Sequence, residues 1–242
     1  MKTIAALRSY YPGASRCIAV LFLLALVTNA GAAVPDVPLG VAPGSVYHWA
    51  FVTRGTRDAT STDIADYNAF VSAEANAAGS LTALAGIANW YAIASTDAVD
   101  ARDNAVVSGP VFLVHGGRLA DSAADFWDGS IKAVFSRDQF NNLISVGNVW
   151  TGSTASGEAV RRPPGMSGFD GYLGTTASPL AGVGYTYSVG SSWALGAYKD
   201  PSESLHLYAL SPALTAVPLP PAVLLLAAGV GTLLARRRRT RT

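Results

Sequence analysis

The two ends of the chain limit which residues can fold into a globular body. Within residues 1–33, basic residues precede the ten-residue apolar stretch Ile18 to Val27, and the small residues Ala30, Gly31, Ala32 and Ala33 follow it. This order is typical of a secretory signal peptide, and the apolar stretch is too short to span a bilayer. We therefore predict cleavage by signal peptidase after Ala32 or Ala33. A buried N-terminal helix is the alternative.

The C-terminal segment, residues 217–242, reads VPLPPAVLLLAAGVGTLLARRRRTRT. Its uncharged stretch Ala222 to Ala235 has 14 residues, or about 21 Å of helix, against a bilayer core of ~30 Å. Counting from Val217 gives 19 residues, which is just enough to span. Pro220 and Pro221 suit the first turn of such a helix. The arginines that follow indicate the cytoplasmic side, so the body is expected outside.

This tail resembles a known class of sorting signals, the PEP-CTERM class in its VPLPA-type variant. The resemblance rests on the apolar stretch and on two flanking groups: Val217, Pro218, Leu219, Pro220, Pro221 and Ala222 before it, and Arg236, Arg237, Arg238 and Arg239 after it. It implies a Gram-negative, exopolysaccharide-producing host and an exosortase-type transpeptidase that cuts near residues 217–221. It also implies transient anchoring in the inner membrane with the C-terminus in the cytoplasm. An uncut C-terminal anchor is the alternative, and both place the body at the cell envelope or in the extracellular matrix.

The body between the signals, residues 34–216, is acidic and without cysteine. It carries nine basic and sixteen acidic residues, a net charge of −7. This balance argues against binding nucleic acid or an anionic membrane through charge, and is compatible with neutral glycans, cations or basic partners. Cys17, the one cysteine, lies in the signal peptide, so the mature fold rests on packing without disulfides.

The order of the segments predicts a single α+β domain. Val46 to Arg54 has the aromatic and β-branched pattern of a strand. Asp63 to Ala78 has apolar residues at helical spacing, with Ser61 or Thr62 as cap and Gly79 as terminator. Short strands are predicted at Trp90–Ala94, Val111–Val114, Asn148–Thr151 and Leu205–Leu210. Residues 151–192 are expected to be mostly loop.

This series of segments resembles the endostatin-like branch of the C-type-lectin-like fold over residues 46–211. The sequences FWDGS at residues 126–130 and VWTGS at residues 149–153 are its most specific pieces. The resemblance implies one lectin-like domain with one main helix and many short strands. The disulfides and the calcium-and-sugar triplets of that fold are not found in the sequence, so no binding residue is carried over.

Candidate binding residues lie in the second half of the body. Trp193, Tyr185 and Tyr187 fall in its loop-rich part, where ligand-binding residues are often displayed, and aromatic faces stack on sugar rings. The other four tryptophans, in the apolar segments, are expected in the core: Trp49, Trp90, Trp127 and Trp150.

Clustered carboxylates raise the hypothesis of a calcium site. Asp121, Asp125 and Asp128 lie close together before Gly129, and calcium prefers oxygen ligands. Structural turns are the alternative, with Asp125 as a cap. Asp97, Asp100 and Asp103 raise the same hypothesis, with Arg102 as their expected ion-pair partner. No other cofactor is expected.

Two hypotheses about the function remain open. The first is a non-enzymatic surface or matrix protein that binds glycan or protein partners, or serves only a structural role. The second is an envelope hydrolase in which His115, followed by Gly116 and Gly117, works with a serine such as Ser167. A glycine hairpin turn is the alternative for this motif. His48 and His206 are expected to be core or surface residues without a metal.

Overall fold

A computed structural model describes residues 37–81, 84, 86–144, 147–162, 170–176 and 178–217. The predicted signal peptide and the tail beyond Val217 lie outside these residues. In the described part of the chain, no helix is long and apolar enough to cross a membrane.

The described residues form nine strands, three α-helices and one 3-10 helix. The strands are β1 (Val46–Val52), β2 (Tyr91–Ala92), β3 (Val111–Leu113), β4 (Arg118–Ala120), β5 (Asn148–Trp150), β6 (Ala181–Tyr185), β7 (Ala197–Lys199), β8 (His206–Leu210) and β9 (Leu214–Thr215). The helices are α1 (Ile64–Ala75), α2 (Ala101–Asn104) and α3 (Ala123–Phe126), and the 3-10 helix covers Ser191–Trp193.

All nine strands join one mixed sheet. Its order is β4-β3-β1-β8-β5-β6-β7, with β2 also paired to β8 and β9 to β1. Strand β1 runs parallel to β3, with Trp49 opposite Phe112, and antiparallel to β8, with Phe51 opposite Ala209. Strands from both ends of the body therefore form the centre of the sheet. The expected class, helix and sheet in one α+β domain, is confirmed at this level.

The sheet buries both of its faces. Successive side chains of a strand point to opposite faces, and in β1 this sends Trp49 and Phe51 into one core and Ala50 and Val52 into the other. The first core is closed by helix α1 through Tyr67, Val71 and Ala75. The second contains an aromatic group made of Phe126, Phe135, Trp193 and Tyr208.

Strand β1 and helix α1 are confirmed, but the ends of the helix differ from the prediction. Asp63 is the N-cap instead of Ser61 or Thr62, because its carboxylate accepts the Ala65 N–H at 2.9 Å. The helix ends at Ala75, with Asn76 as C-cap, and Gly79 occupies the following turn with φ +85°.

Strand β6 falls in the region expected to be mostly loop. Its sequence, Ala-Gly-Val-Gly-Tyr, lacks the alternation that indicates a strand. Gly184 is required there because a Cβ at this position would collide with the carbonyl oxygen of Trp193. Gly184 thus weakens the strand pattern in the sequence and at the same time lets the 3-10 helix pack against β6.

Candidate functional site

An open surface cavity of about 350 Å³ lies where β2 begins, beside helix α2 and the chain that follows β8. Its lining includes Tyr91, Asp103, Asn104, Val106, Ser108 and Pro212. Tyr91 is half-buried, whereas Val106 is 60% exposed. The cavity therefore combines an aromatic ring, aliphatic surface and polar groups within one concave site.

Asn104 fixes one wall of the cavity. Its side-chain amide donates to the Ala92 carbonyl at 2.7 Å and exchanges a pair of hydrogen bonds with the side chain of Asn68. Asn68 in turn accepts the Ala92 N–H at 2.8 Å. Helix α1, strand β2 and helix α2 are thus tied together, so this wall is formed before any ligand arrives.

His48 fixes another part of the cavity lining, around Ser108. Its Nδ1 lies 3.0 Å from the carbonyl oxygen of Ser211, and its Nε2 accepts the Ser108 N–H at 3.0 Å. The Ser108 hydroxyl lies 3.2 Å from the same Nε2. The two backbone contacts place the ring proton on Nδ1. Burial lowers the pKa of His48 below its ordinary value, which favours this neutral form.

The contact between Ser108 and His48 resembles a nucleophile and base, but its other contacts indicate a structural tie. The lone pair on Nε2 already accepts the Ser108 amide, and the imidazole is fully buried. His48 therefore holds the segment before β3 against the chain that leads into Pro212. His206, whose Nδ1 lies 2.7 Å from the Thr53 carbonyl, has a comparable role.

Asp103 is the charged side chain among the lining residues. Among the described residues, no hydrogen bond or ion pair reaches its carboxylate. The neighbouring Arg102 forms its ion pair with Glu158, at 3.1 Å, instead of with one of the three aspartates. Arg161 takes that place for Asp100, at 2.8 Å. The cavity is therefore acidic.

The cluster proposed for calcium is occupied by protein cations. The ammonium of Lys132 contacts Asp121 and lies 2.9 Å from Asp125, and Arg118 lies 2.6 Å from Asp121. Hydrogen bonds from Lys132 and Arg118 hold the pKa of Asp121 below its ordinary value. The Asp125 carboxylate also accepts the Asp121 N–H at 2.5 Å, which is the kind of contact that the turn alternative predicts.

The remaining carboxylate of that cluster serves its own turn. Asp128 accepts the Ser130 N–H at 2.9 Å, away from the Lys132 pairs. Among the described residues, no group of three or more histidine, cysteine or acidic side chains is placed to hold a metal ion.

Of the three predicted aromatic ligand residues, Tyr187 is exposed and Tyr185 is partly buried. The rings of Tyr185 and Tyr187 stack with centroids 5.1 Å apart and planes at 11°, and Tyr187 is 66% exposed. Tyr185 pairs with Asn148 of β5, which lies next to the position where β8 begins. Tyr91 pairs with Leu210, the last residue of β8. The tyrosine pair is therefore a surface separate from the cavity.

Trp193 does not lie at the surface, so the prediction that a loop displays it is wrong. Its side chain is fully buried, and its ring centroid lies 5.3 Å from that of Phe126. The 3-10 helix turns the indole inward because Gly184 leaves room for the Trp193 backbone. Of the tryptophans expected in the core, Trp49, Trp90 and Trp150 are buried, while Trp127 is partly exposed beside Phe126.

His115 lies in the exposed turn between β3 and β4. The Gly116 N–H donates to the Leu113 carbonyl at 2.7 Å, and Gly116 has φ +93°. This is the glycine hairpin turn considered from the sequence. Among the described residues, no hydrogen bond joins the His115 imidazole to a serine, and Ser167 lies outside them.

The cavity was not predicted as a site from the sequence. Tyr91 belongs to a predicted strand, and Val106 and Ser108 lie in a segment for which no role was proposed. The one available signal was Asp103, considered there for calcium. No protein-family model matches the chain, and a comparison with curated proteins finds no match.

Proposed function

We propose that this protein is an exported, non-catalytic binding module that takes a glycan unit in the cavity lined by Tyr91, Asp103, Val106 and Ser108. The observation that carries this function is the mixed lining of one preformed concave site. Sugar-binding sites combine an apolar surface for the C–H face of the ring with polar groups for its hydroxyls.

The residues of the cavity divide between these two tasks. Tyr91, Val106 and Pro212 offer ring and aliphatic surface, and Asp103 and Ser108 offer oxygen atoms to hydroxyl groups. The volume of about 350 Å³ lies at the lower end of the range of ligand pockets, ~300–1,000 Å³. A single monosaccharide unit of a longer chain suits this size.

The proposed architecture is the endostatin-like branch of the C-type-lectin-like fold. One main helix and a large mixed sheet of short strands support this proposal. Because Lys132 pairs with Asp121 and Asp125, we propose that the glycan binds without calcium, so retention on a glycan column persists in EDTA.

Val106→Arg is expected to abolish retention of the full chain on the host's exopolysaccharide. Val106 is 60% exposed, so a long side chain there fills the cavity without disturbing the core. Val189→Arg is the matched control, because Val189 is 45% exposed and does not line the cavity. Affinity electrophoresis measures both variants. Equal retention of Val106→Arg and the unmodified chain would remove the cavity as the binding site.

The proposed location depends on the tail, with Val217 to Ala222 as the processing segment and Arg236 to Arg239 as the cytoplasmic stop. A chain that ends at Ala216 is expected to appear free in the medium, because the sorting signal is gone. Fractionation of the host with an antibody against the body measures this, with the full chain as control. Continued retention of the truncated chain in the envelope contradicts the sorting role. A cell-bound full chain of undiminished mass indicates the uncut anchor.

A further inference from the structure

We infer that the cavity is selective for an amino sugar with a free, protonated amine, an inference that rests on the glycan-binding function proposed above. Asp103 supplies the one charge of the lining, and no described residue neutralises it. A ligand that carries a cationic group would form an ion pair with the Asp103 carboxylate. A neutral sugar leaves the carboxylate unpaired, and an acidic sugar is repelled by it.

Four cations of the described body form ion pairs with carboxylates outside the cavity lining. Arg102, next to Asp103 in the sequence, lies 3.1 Å from Glu158, and Arg161 lies 2.8 Å from Asp100. Farther away, Lys132 is held by Asp121 and Asp125, and Lys199 lies 3.4 Å from Glu203. None of these four cations lines the cavity, so none of them offers an anionic sugar a counter-charge there.

The aromatic wall favours the same ligand. The Tyr91 ring lines the cavity together with Asp103, and an ammonium group near a tyrosine face gains cation–π attraction in addition to the ion pair. The net charge of −7 on residues 34–216 adds a long-range attraction for cations.

The remaining lining distinguishes an amino sugar from a simple amine. Val106 and Pro212 provide apolar surface, and the Ser108 hydroxyl provides a polar contact next to it. A sugar ring uses both kinds of surface, whereas a polyamine or a lysine side chain brings no hydroxyl groups to Ser108. The structure therefore favours a glycan with free amines over a basic peptide.

Three oligosaccharides that differ at one ring position test this inference. Calorimetry with the purified full chain compares β-1,4-linked tetramers of glucosamine, N-acetylglucosamine and glucose at low salt and about pH 5.5, where the glucosamine amine is protonated and an ordinary Asp carboxyl is ionised. The glucosamine tetramer is expected to bind about tenfold tighter than the other two, the combined contribution of one exposed ion pair and one cation–π contact. Raising the pH until the amine is uncharged, or adding salt, is expected to remove the preference.

Asp103→Asn is expected to bring the three affinities together, because it keeps the shape of the side chain and removes its charge. Asp128→Asn is the matched control, since Asp128 is an exposed carboxylate that serves only its own turn. Circular dichroism checks that both variants are folded. If Asp103→Asn does not fold, the loss of preference at high pH in the unmodified chain decides the question.

The other possible results contradict either the amino-sugar inference or the glycan-binding function. Equal binding of the three tetramers, or an unchanged preference in Asp103→Asn, refutes the amino-sugar inference and leaves the glycan-binding function standing. Displacement of the glucosamine tetramer by tetralysine at equal concentration also refutes it, because the site then recognises charge without the sugar. If none of the three tetramers binds and the exopolysaccharide does not either, the proposed function itself fails.

Discussion

Gly174→Ala is expected to destabilise the protein by about 2–5 kcal/mol, the sum of a conformational cost and a steric cost. Gly174 has φ +73°, a conformation that costs an L-residue about 1–2 kcal/mol. Its new Cβ would also collide with the Ser61 carbonyl oxygen and lie 2.6 Å from the Thr62 Cα. Both are backbone atoms that cannot rotate away, and overpacking costs a further 1–3 kcal/mol or so.

A matched glycine separates these two causes. Gly79 has φ +85°, but a Cβ there would meet no atom within 4 Å, so Gly79→Ala carries the conformational cost alone. Urea unfolding of both variants measures the difference, which is expected to be about 1–3 kcal/mol. An equal loss of stability in the two variants would show that a Cβ at position 174 meets no steric obstacle in the segment before helix α1.

This glycine also links a distant loop to the cavity. The Gly174 N–H donates to the Ala59 carbonyl at 2.8 Å, and the segment it touches leads into helix α1. Helix α1 carries Asn68, which bonds Asn104 in the cavity wall. A displaced helix is therefore expected to weaken glycan retention as well as stability.

Strand β1 and helix α1 were predicted from the sequence because the period of each is strong. Strand β1 alternates between two cores, and helix α1 buries Tyr67, Val71 and Ala75 at spacings of four. Strand β6 was missed because glycines at positions 182 and 184 erase the alternation, and Gly184 is needed by a tertiary contact with Trp193. Local pattern carries no information about such a contact.

The candidate site was less accessible to sequence reasoning for a similar reason. Tyr91 and Pro212 are 121 positions apart along the chain, and the pairing of β2 with β8 brings them together. Asp103 drew attention only as a member of an acidic group, whereas its relevance comes from its place in the cavity lining and from the pairing of Arg102 and Arg161 with other carboxylates. The spacing of charged residues along the chain does not show which distant residues form ion pairs in the fold.

Trp193→Ala is expected to cost about 3–5 kcal/mol of stability, the usual range for removing a large aromatic side chain from a core. Its ring lies among Phe126, Phe135 and Tyr208 at centroid distances of 5.3, 6.1 and 6.0 Å. Within the described residues its indole N–H has no hydrogen-bond partner, so the loss is one of packing. Urea unfolding of the full chain measures it.

Tyr187→Ala is the control that decides whether Trp193 acts on the ligand or on the core. Tyr187 was proposed for the same ligand surface, yet it is 66% exposed, so its truncation is expected to change stability by less than about 1 kcal/mol. Trp193→Phe keeps an aromatic ring in the core and is expected to retain full glycan binding per folded molecule. A Trp193→Ala variant that is as stable as Tyr187→Ala but does not bind glycan would show that Trp193 contributes to ligand binding. Since the indole is enclosed by three aromatic rings of one core, we expect stability to fall and the binding of the molecules that remain folded to persist.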